Sequence, residues 1–251
     1  MKTQWSNTEK AQFAKMSVVV LSPIMKAEPK WVRALTRMVA FSWMHGLRVL
    51  NMGITEGMVV DWARNSLARS AMDHRDEYTD KHYSHFLWLD SDHVFEPDLA
   101  LCLARHFINK DVDGVSAVYY SRTGYPLPVV YVKDVTDSKY KHYPLIEVPA
   151  CLCEVDAFGF GACLIKRQTF ASTPEPWFTI DAKAGEDIAF CVHAKEHGAR
   201  FFVDGGYHLG HIGEAPVITK QDFEKHLAEN THLYADKVRV GLGGKVNGNM
   251  G

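Results

Sequence analysis

The run HFLWLDSDHVFEPDLA (residues 85–100) drives an apolar stretch straight into a set of acids. Phe86-Leu87-Trp88-Leu89 has the continuous hydrophobicity of a buried strand, and Glu96-Pro97 opens a helix, with Asp90, Ser91 and Asp92 in between. Working outward, SVVVLSP (17–23) is a β-branched run closed by proline. Residues 29–45 carry Trp31, Leu35, Met38, Val39 and Met44 near helical spacing and end at Gly46. LRVLNMG (47–53) is a second strand, VVDWARNSLARSAM (59–72) a second helix, HFLWLD the third strand, PDLALCLARHF (97–107) a third helix and GVSAVYY (114–120) a fourth strand. Strands alternating with helices predict βαβ units and a mainly parallel sheet, so residues 17–122 read as a Rossmann-like half. The rhythm then changes. PLPVVYV, PLIEV, CLCEVDAF and FGACLI are four strand-like runs with no helix between them, which predicts a mixed second half over 123–213. A helix returns over 185–198, and RFFVDGG and YHLGHIG follow as extended runs. A last amphipathic helix covers 219–235 and a loose tail 237–251. The expected organisation is a lead-in (1–16), one α/β domain (17–236, its last helix within 214–236) and the tail.

Composition narrows the classes. With 47% apolar and 23% charged residues in 251, the chain can bury a sizeable core. A formal net charge of -2 gives no electrostatic case for non-specific binding to nucleic acid or anionic membranes. Five cysteines, an odd number without a CxxC pair, argue against a disulfide framework and a structural zinc site. The N-terminal residues lack the apolar core of a signal peptide, and no run reaches the roughly 18 apolar residues of a membrane span. A cytoplasmic protein is expected.

Each candidate motif has a plainer alternative. Asp90 and Asp92 sit at a strand's carboxyl end, where open α/β sheets bind ligands. If the chain is still extended there, the two point the same way about 6–7 Å apart and can share a hard cation. Alternatively Asp92 caps the following helix. Glu186 and Asp187 open a helix, where acids complement the dipole, and that dipole should keep Asp187 ionised and weakly basic. His208 and His211, in YHLGHIG, should face opposite ways, so one of them can be a metal ligand while the other packs or faces water. Trp177 and Phe178 are either core or an apolar wall for a ring-shaped substrate. Gly159 and Gly161 allow close backbone approach. Arg64 reads by default as a solvated charge.

The order of these motifs is more specific than any one of them. WARNSLA (62–68), FLWLDSD, VDAFGFGACLI, GEDIAFC and a terminal histidine together resemble the GT-A fold glycosyltransferases, family 2-like group, over about Val18 to Gly213. The resemblance implies a GT-A three-layer α/β fold and transfer of a sugar from a nucleotide-diphosphate donor onto a hydroxyl acceptor, with inversion the expected outcome and retention still open, since the GED acid serves either. It implies Mn²⁺ or Mg²⁺ on Asp92 and His211, with Asp90 on the metal's water or the ribose. Pro23, Arg64, Asn65, Ser91, Gly159 and Gly161 would attend the donor, and Trp177 and Phe178 the acceptor. Asp187, or failing that Glu186, would be the base. Lacking a membrane span and a long C-terminal extension, the chain departs from processive polymer synthases. It is similar to short bacteriophage forms, which act in the host cytoplasm and whose acceptor can be a modified nucleobase; a glycan or small molecule is equally open. Two rivals stand beside this reading. A sugar-phosphate nucleotidyltransferase needs a glycine-rich loop after the first strand, which LSPIMKAEPK lacks. A nucleotide-sugar or glycan-binding module without turnover would have no need of both DSD and GED.

Overall fold

A computed structural model describes residues 5–24, 26–108, 110–122, 124–133, 142–180, 185–213 and 217–234. Its centre is a seven-stranded sheet. In chain order its strands are β1 (Ser17–Ile24), β2 (Arg48–Glu56), β3 (His85–Leu89), β4 (Gly114–Val118), β5 (Leu152–Val155), β6 (Ala162–Lys166) and β7 (Phe201–His208). Across the sheet they stand in the order β5-β7-β4-β6-β3-β1-β2. β2, β1, β3, β4 and β7 run one way, and β6 and β5 run against them. The sheet is therefore mainly parallel with a mixed half, as the motif rhythm predicts.

β1 has β2 on one side and β3 on the other, so the loops leaving β1 and β3 part at a switch point. Pro23 and Asp90 stand at that opening. The helices are α1 (Asn7–Phe13), α2 (Pro29–Met44), α3 (Val60–Asp73), α4 (Leu99–Ala104), α5 (Arg167–Ser172), α6 (Glu186–Glu196) and α7 (Lys220–Glu229). Side chains alternate along each strand, which sorts the core into two layers. Val18, Val20, Leu87 and Leu89 face Trp31, Leu35 and Met38 of α2 and the apolar face of α4. Val19, Leu21, Phe86 and Trp88 face Leu67 and Ala71 of α3 and Phe190 of α6. On this second face Trp88, Phe160, Phe170, Phe178 and Phe190 form one aromatic cluster, with ring centroids 4.9–6.3 Å apart in the touching pairs. Rings of this size dominate the burial term, so the cluster anchors α5 and α6 to the sheet.

Several boundaries differ from the sequence reading. The lead-in contains α1, started by a capping box in which Ser6 and Glu9 satisfy each other's backbone amides and closed by Phe13, which is wholly buried. PLIEV is no strand: the extended residues are His142–Pro144, the outer member of a three-stranded sheet with Val130–Lys133 and Ala157–Phe158. Residues 105–107 leave α4 as a 3-10 turn. α5 is unanticipated, and it directly continues β6. The predicted last helix closes at Glu229, with a 3-10 turn over Thr231–Leu233. The predicted tail, 237–251, lies outside the described residues.

Candidate functional site

The opening at the switch point is a pocket of about 680 Å³ lined by Pro23, Thr55, Met58, Arg64, Asp90, Ser91, Asp92 and Arg122 among others. The chain turns immediately after β3, with residues 91 and 92 in a turn rather than an extended strand. Asp90 and Asp92 therefore do not point the same way. Each goes to its own cluster.

Asp90 meets α3 and α6. Arg64, only 3% exposed, donates from Nη2 to Asp90 Oδ1 at 3.1 Å and from Nε to Glu186 Oε1 at 3.1 Å. Its guanidinium lies 5.8 Å from the Trp88 ring and 5.3 Å from that of Phe160. Arg64 is thus no solvated charge. Burial works against its protonated form, but Asp90, Glu186 and Asp187 outweigh that and raise its pKa. A buried guanidinium between two carboxylates fixes the strand end against the acidic helix.

Asp187 sits beside this pair, half-buried in the first turn of α6, with Oδ1 accepting from the Ile188 amide at 2.8 Å. Burial, then repulsion from Glu186, pushes its pKa up to about 6, against the pull of Arg64 and of that amide. The expectation of a depressed, weakly basic Asp187 is corrected: a helix N-terminus contributes only tenths of a kcal/mol to about 1, less than desolvation beside a like charge. A carboxylate poised near 6 is suited to take a proton near neutrality.

Asp92 faces the other way, into histidines. A two-residue ribbon pairs His93–Val94 with Gly210–His211, setting His211 directly opposite His93. The two imidazoles stack with centroids 4.4 Å apart. Asp92 Oδ1 lies 3.2 Å from His93 Nδ1, and Oδ2 lies 3.3 Å from His211 Nε2. One donor atom from each of Asp92, His93 and His211 falls within 4.8 Å of the others. Burial would raise the Asp92 pKa, but His211 and His93 reverse this and hold it well below the usual carboxylate range. His211 Nδ1 donates to the Tyr120 carbonyl at 2.7 Å, which fixes the ring so that Nε2 faces Asp92. His208 is elsewhere, with Nδ1 3.0 Å from the Tyr120 hydroxyl.

These residues fit a divalent cation. His93 is 1% exposed, yet its Nε2 has no hydrogen-bond partner among the described residues, and its Nδ1 faces Asp92 Oδ1 at 3.2 Å without hydrogen-bond geometry. Buried polar atoms left so are costly, and a cation ligated by them removes the cost. One carboxylate and two imidazoles suit Mn²⁺ better than Mg²⁺, which prefers oxygen ligands. Asp90, expected at the metal, stands outside this cluster on Arg64. His93 and Arg122, whose Nη1 is 2.6 Å from Asp92 Oδ2, were not singled out from the sequence. For His93 a signal existed: an imidazole immediately after DxD and within reach of a late histidine. For Arg122, in a loop, there was none.

Other expected site residues have structural work. Asn65 accepts from the Trp177 and Phe178 amides at 3.1 and 3.2 Å and donates to the Phe178 carbonyl at 2.7 Å. It clamps that segment rather than lining the opening. Trp177 and Phe178 are buried in the aromatic core, so of the two readings of PEPWF the core reading holds and they offer no acceptor wall. The space beside Gly159 is filled by the Tyr119 hydroxyl, which a Cβ would strike, and that beside Gly161 by the rings of His93 and Tyr119. These glycines make room for Tyr119 and for His93 itself. Ser91 is 8% exposed and donates to the Lys26 carbonyl at 3.0 Å, tying the two loops of the opening together.

The architecture is shared with solved structures. A197 from STIV superposes with a TM-score of 0.55 at 21% identity, covering 82% of this chain and 92% of that one. GalNAc-T7, solved with UDP, GalNAc and Mn²⁺, superposes with a TM-score of 0.51 at 11% identity, covering 89% of this chain and 50% of that one. No protein-family model matches the chain, and no curated protein matches it. The chain has the GT-A fold, the Rossmann-like scaffold of glycosyltransferases. Within that fold it carries its acids and histidines at the carboxyl edge of the sheet, and no helix among the described residues is long and apolar enough to cross a membrane.

Proposed function

We propose that this protein is a metal-dependent glycosyltransferase that moves a sugar from a nucleotide-diphosphate donor to a hydroxyl acceptor with inversion. The observation that carries the reading is an Asp92-His93-His211 cluster reached through Asp92 at the switch-point opening, with Asp187, its pKa pushed up to about 6, beside Arg64 and Asp90 of the same opening. The donor set fits Mn²⁺ or, less well, Mg²⁺, and GalNAc-T7, of like fold, was solved with Mn²⁺ and UDP. A divalent cation there would supply charge stabilisation to a diphosphate leaving group without proton transfer.

The chain's own residues divide the remaining work. Asp92, His93 and His211 hold the cation, with the Tyr120 carbonyl keeping His211 in the ligating tautomer. Asp187 accepts the acceptor hydroxyl's proton on a carboxylate oxygen as that hydroxyl attacks. Arg64 holds Asp90 and Glu186, so strand end and acidic helix keep their spacing through the reaction. Pro23 and Ser91 line the donor opening.

The test is donor hydrolysis with Mn²⁺ over a panel of nucleotide sugars. A transferase releases free sugar and nucleoside diphosphate slowly without an acceptor. A nucleotidyltransferase instead forms nucleoside triphosphate and sugar phosphate when given pyrophosphate, and a binding module does neither. Absence of any sugar release over the full panel, with donor binding intact, overturns the proposal.

A further inference from the structure

We infer that Arg122 competes with the divalent cation for Asp92 and, once displaced, becomes the ligand of the donor's diphosphate. This deepens the reading just given and rests on it. Asp92 Oδ2 has two claimants, Arg122 Nη1 at 2.6 Å and His211 Nε2 at 3.3 Å. Whichever Asp92 oxygen ligates the cation, a guanidinium kept on Oδ2 stands within a few ångströms of it, and two positive groups at that range repel each other.

The displaced Arg122 has little else to bind. It lines the pocket with its side chain 50% exposed, so half of its surface already faces the opening and solvent. The other acids of the pocket wall are engaged: Asp90 by Arg64 at 3.1 Å and Glu28 by Lys26 at 3.0 Å. Arg64 cannot take this part, since it is buried and held by two carboxylates. The Tyr120 carbonyl that orients His211 is two residues before Arg122, so one segment aligns a metal ligand and brings a half-exposed guanidinium to the same opening. A planar guanidinium released into a pocket that receives a diphosphate matches its oxygens with paired, charge-assisted hydrogen bonds. The exchange couples the two ligands: the cation frees the arginine, and the arginine then favours the phosphate.

The test uses Arg122→Gln and Arg122→Lys in the full chain, each first shown to melt within a few degrees of wild type. Mn²⁺ alone is titrated by electron paramagnetic resonance, then the Mn²⁺–pyrophosphate complex by calorimetry. Removing the competitor should tighten Mn²⁺ about two- to fivefold in Arg122→Gln, the range an exposed ion pair commands. Pyrophosphate should weaken about tenfold or more. Arg122→Lys, which keeps the charge but not the fork, should leave Mn²⁺ near wild type and weaken pyrophosphate less. Opposite signs for the two ligands are the signature. If Arg122→Gln loses Mn²⁺ affinity, Arg122 is a clamp that shapes Asp92 and the inference fails; unchanged pyrophosphate binding sinks it equally. Failure of the wild type to bind Mn²⁺ at all is a different result, which overturns the metal site beneath it.

Discussion

Asp187 carries the sharpest residue-scale consequences. Its folded pKa of about 6 exceeds the ordinary carboxylate value, so the folded protein holds that proton more tightly than the unfolded chain does. For a raised acid, stability from this group grows as pH falls through 6 towards 4, and at pH 8 the charged form is a cost of up to about 3 kcal/mol, less for the water that reaches it. Asp187→Asn should therefore be more stable than wild type at pH 8 and level with it near pH 4, as urea unfolding at the two pH values will measure. The same substitution should lower turnover by about 10²-fold or more with donor affinity little changed. In the wild type, kcat with saturating Mn²⁺ and donor should fall as pH drops through about 6, and the variant should lack that limb. Simultaneous loss of donor binding would make Asp187 a donor ligand. At the second cluster, Asp92→Asn should weaken Mn²⁺ by about 10²-fold with the fold kept, since it removes the only charged ligand of the set. His211→Ala should do more harm to Mn²⁺ affinity than His208→Ala, because only the former faces Asp92. A larger effect at His208 in paired titrations would contradict the cross-strand geometry.

At the scale of elements, α3 is the piece that organises the site. Successive positions on a helix point about 100° apart, so Arg64 reaches the strand end while Asn65 reaches the segment 177–178. Asn65→Ala strands two backbone amides in the core and should cost about 2 kcal/mol or more in urea unfolding, with nucleotide affinity within twofold of wild type. A selective loss of donor binding would restore Asn65 to the pocket. Arg64→Met is a harsher change, leaving Asp90 and Glu186 without their shared cation, and should cost about 3–5 kcal/mol. The ribbon of 93–94 with 210–211 is as small as a sheet can be. It still decides which histidines meet at Asp92, because pairing puts His93 and His211 face to face.

The whole molecule places both clusters on the carboxyl edge of one sheet, so ligands should tie the halves together. Mn²⁺ at about 100 times its dissociation constant should raise stability by about 2.7 kcal/mol, with a chelator reversing it and Mg²⁺ giving less at equal concentration. Equal gains from Mg²⁺ would argue that the imidazoles do not ligate. Local pattern was enough for the sheet's parallel half: alternating apolar strands and helices of proper length, with β3 ending where the acids begin, are set by period and burial along a few residues. The motifs DSD and GED were legible too, because they lie in continuous sequence beside those strands. What the linear chain could not hold were relations across it. Arg64 and Glu186 are 122 positions apart, and whether that arginine meets water or two carboxylates depends on packing α3 against α6. Trp177 and Phe178 read equally well as core or binding wall, and Asn65 reads as a donor residue, until the core closes around them. The proton affinity of Asp187 follows from how much water the assembled helices exclude, a quantity of the folded shape rather than of any local run. Sequence determined the scaffold, because hydrophobic period acts over short range. Tertiary structure alone decided which charges are paired, which histidines meet and which acid keeps its proton, because desolvation and Coulomb forces depend on distances that only folding creates.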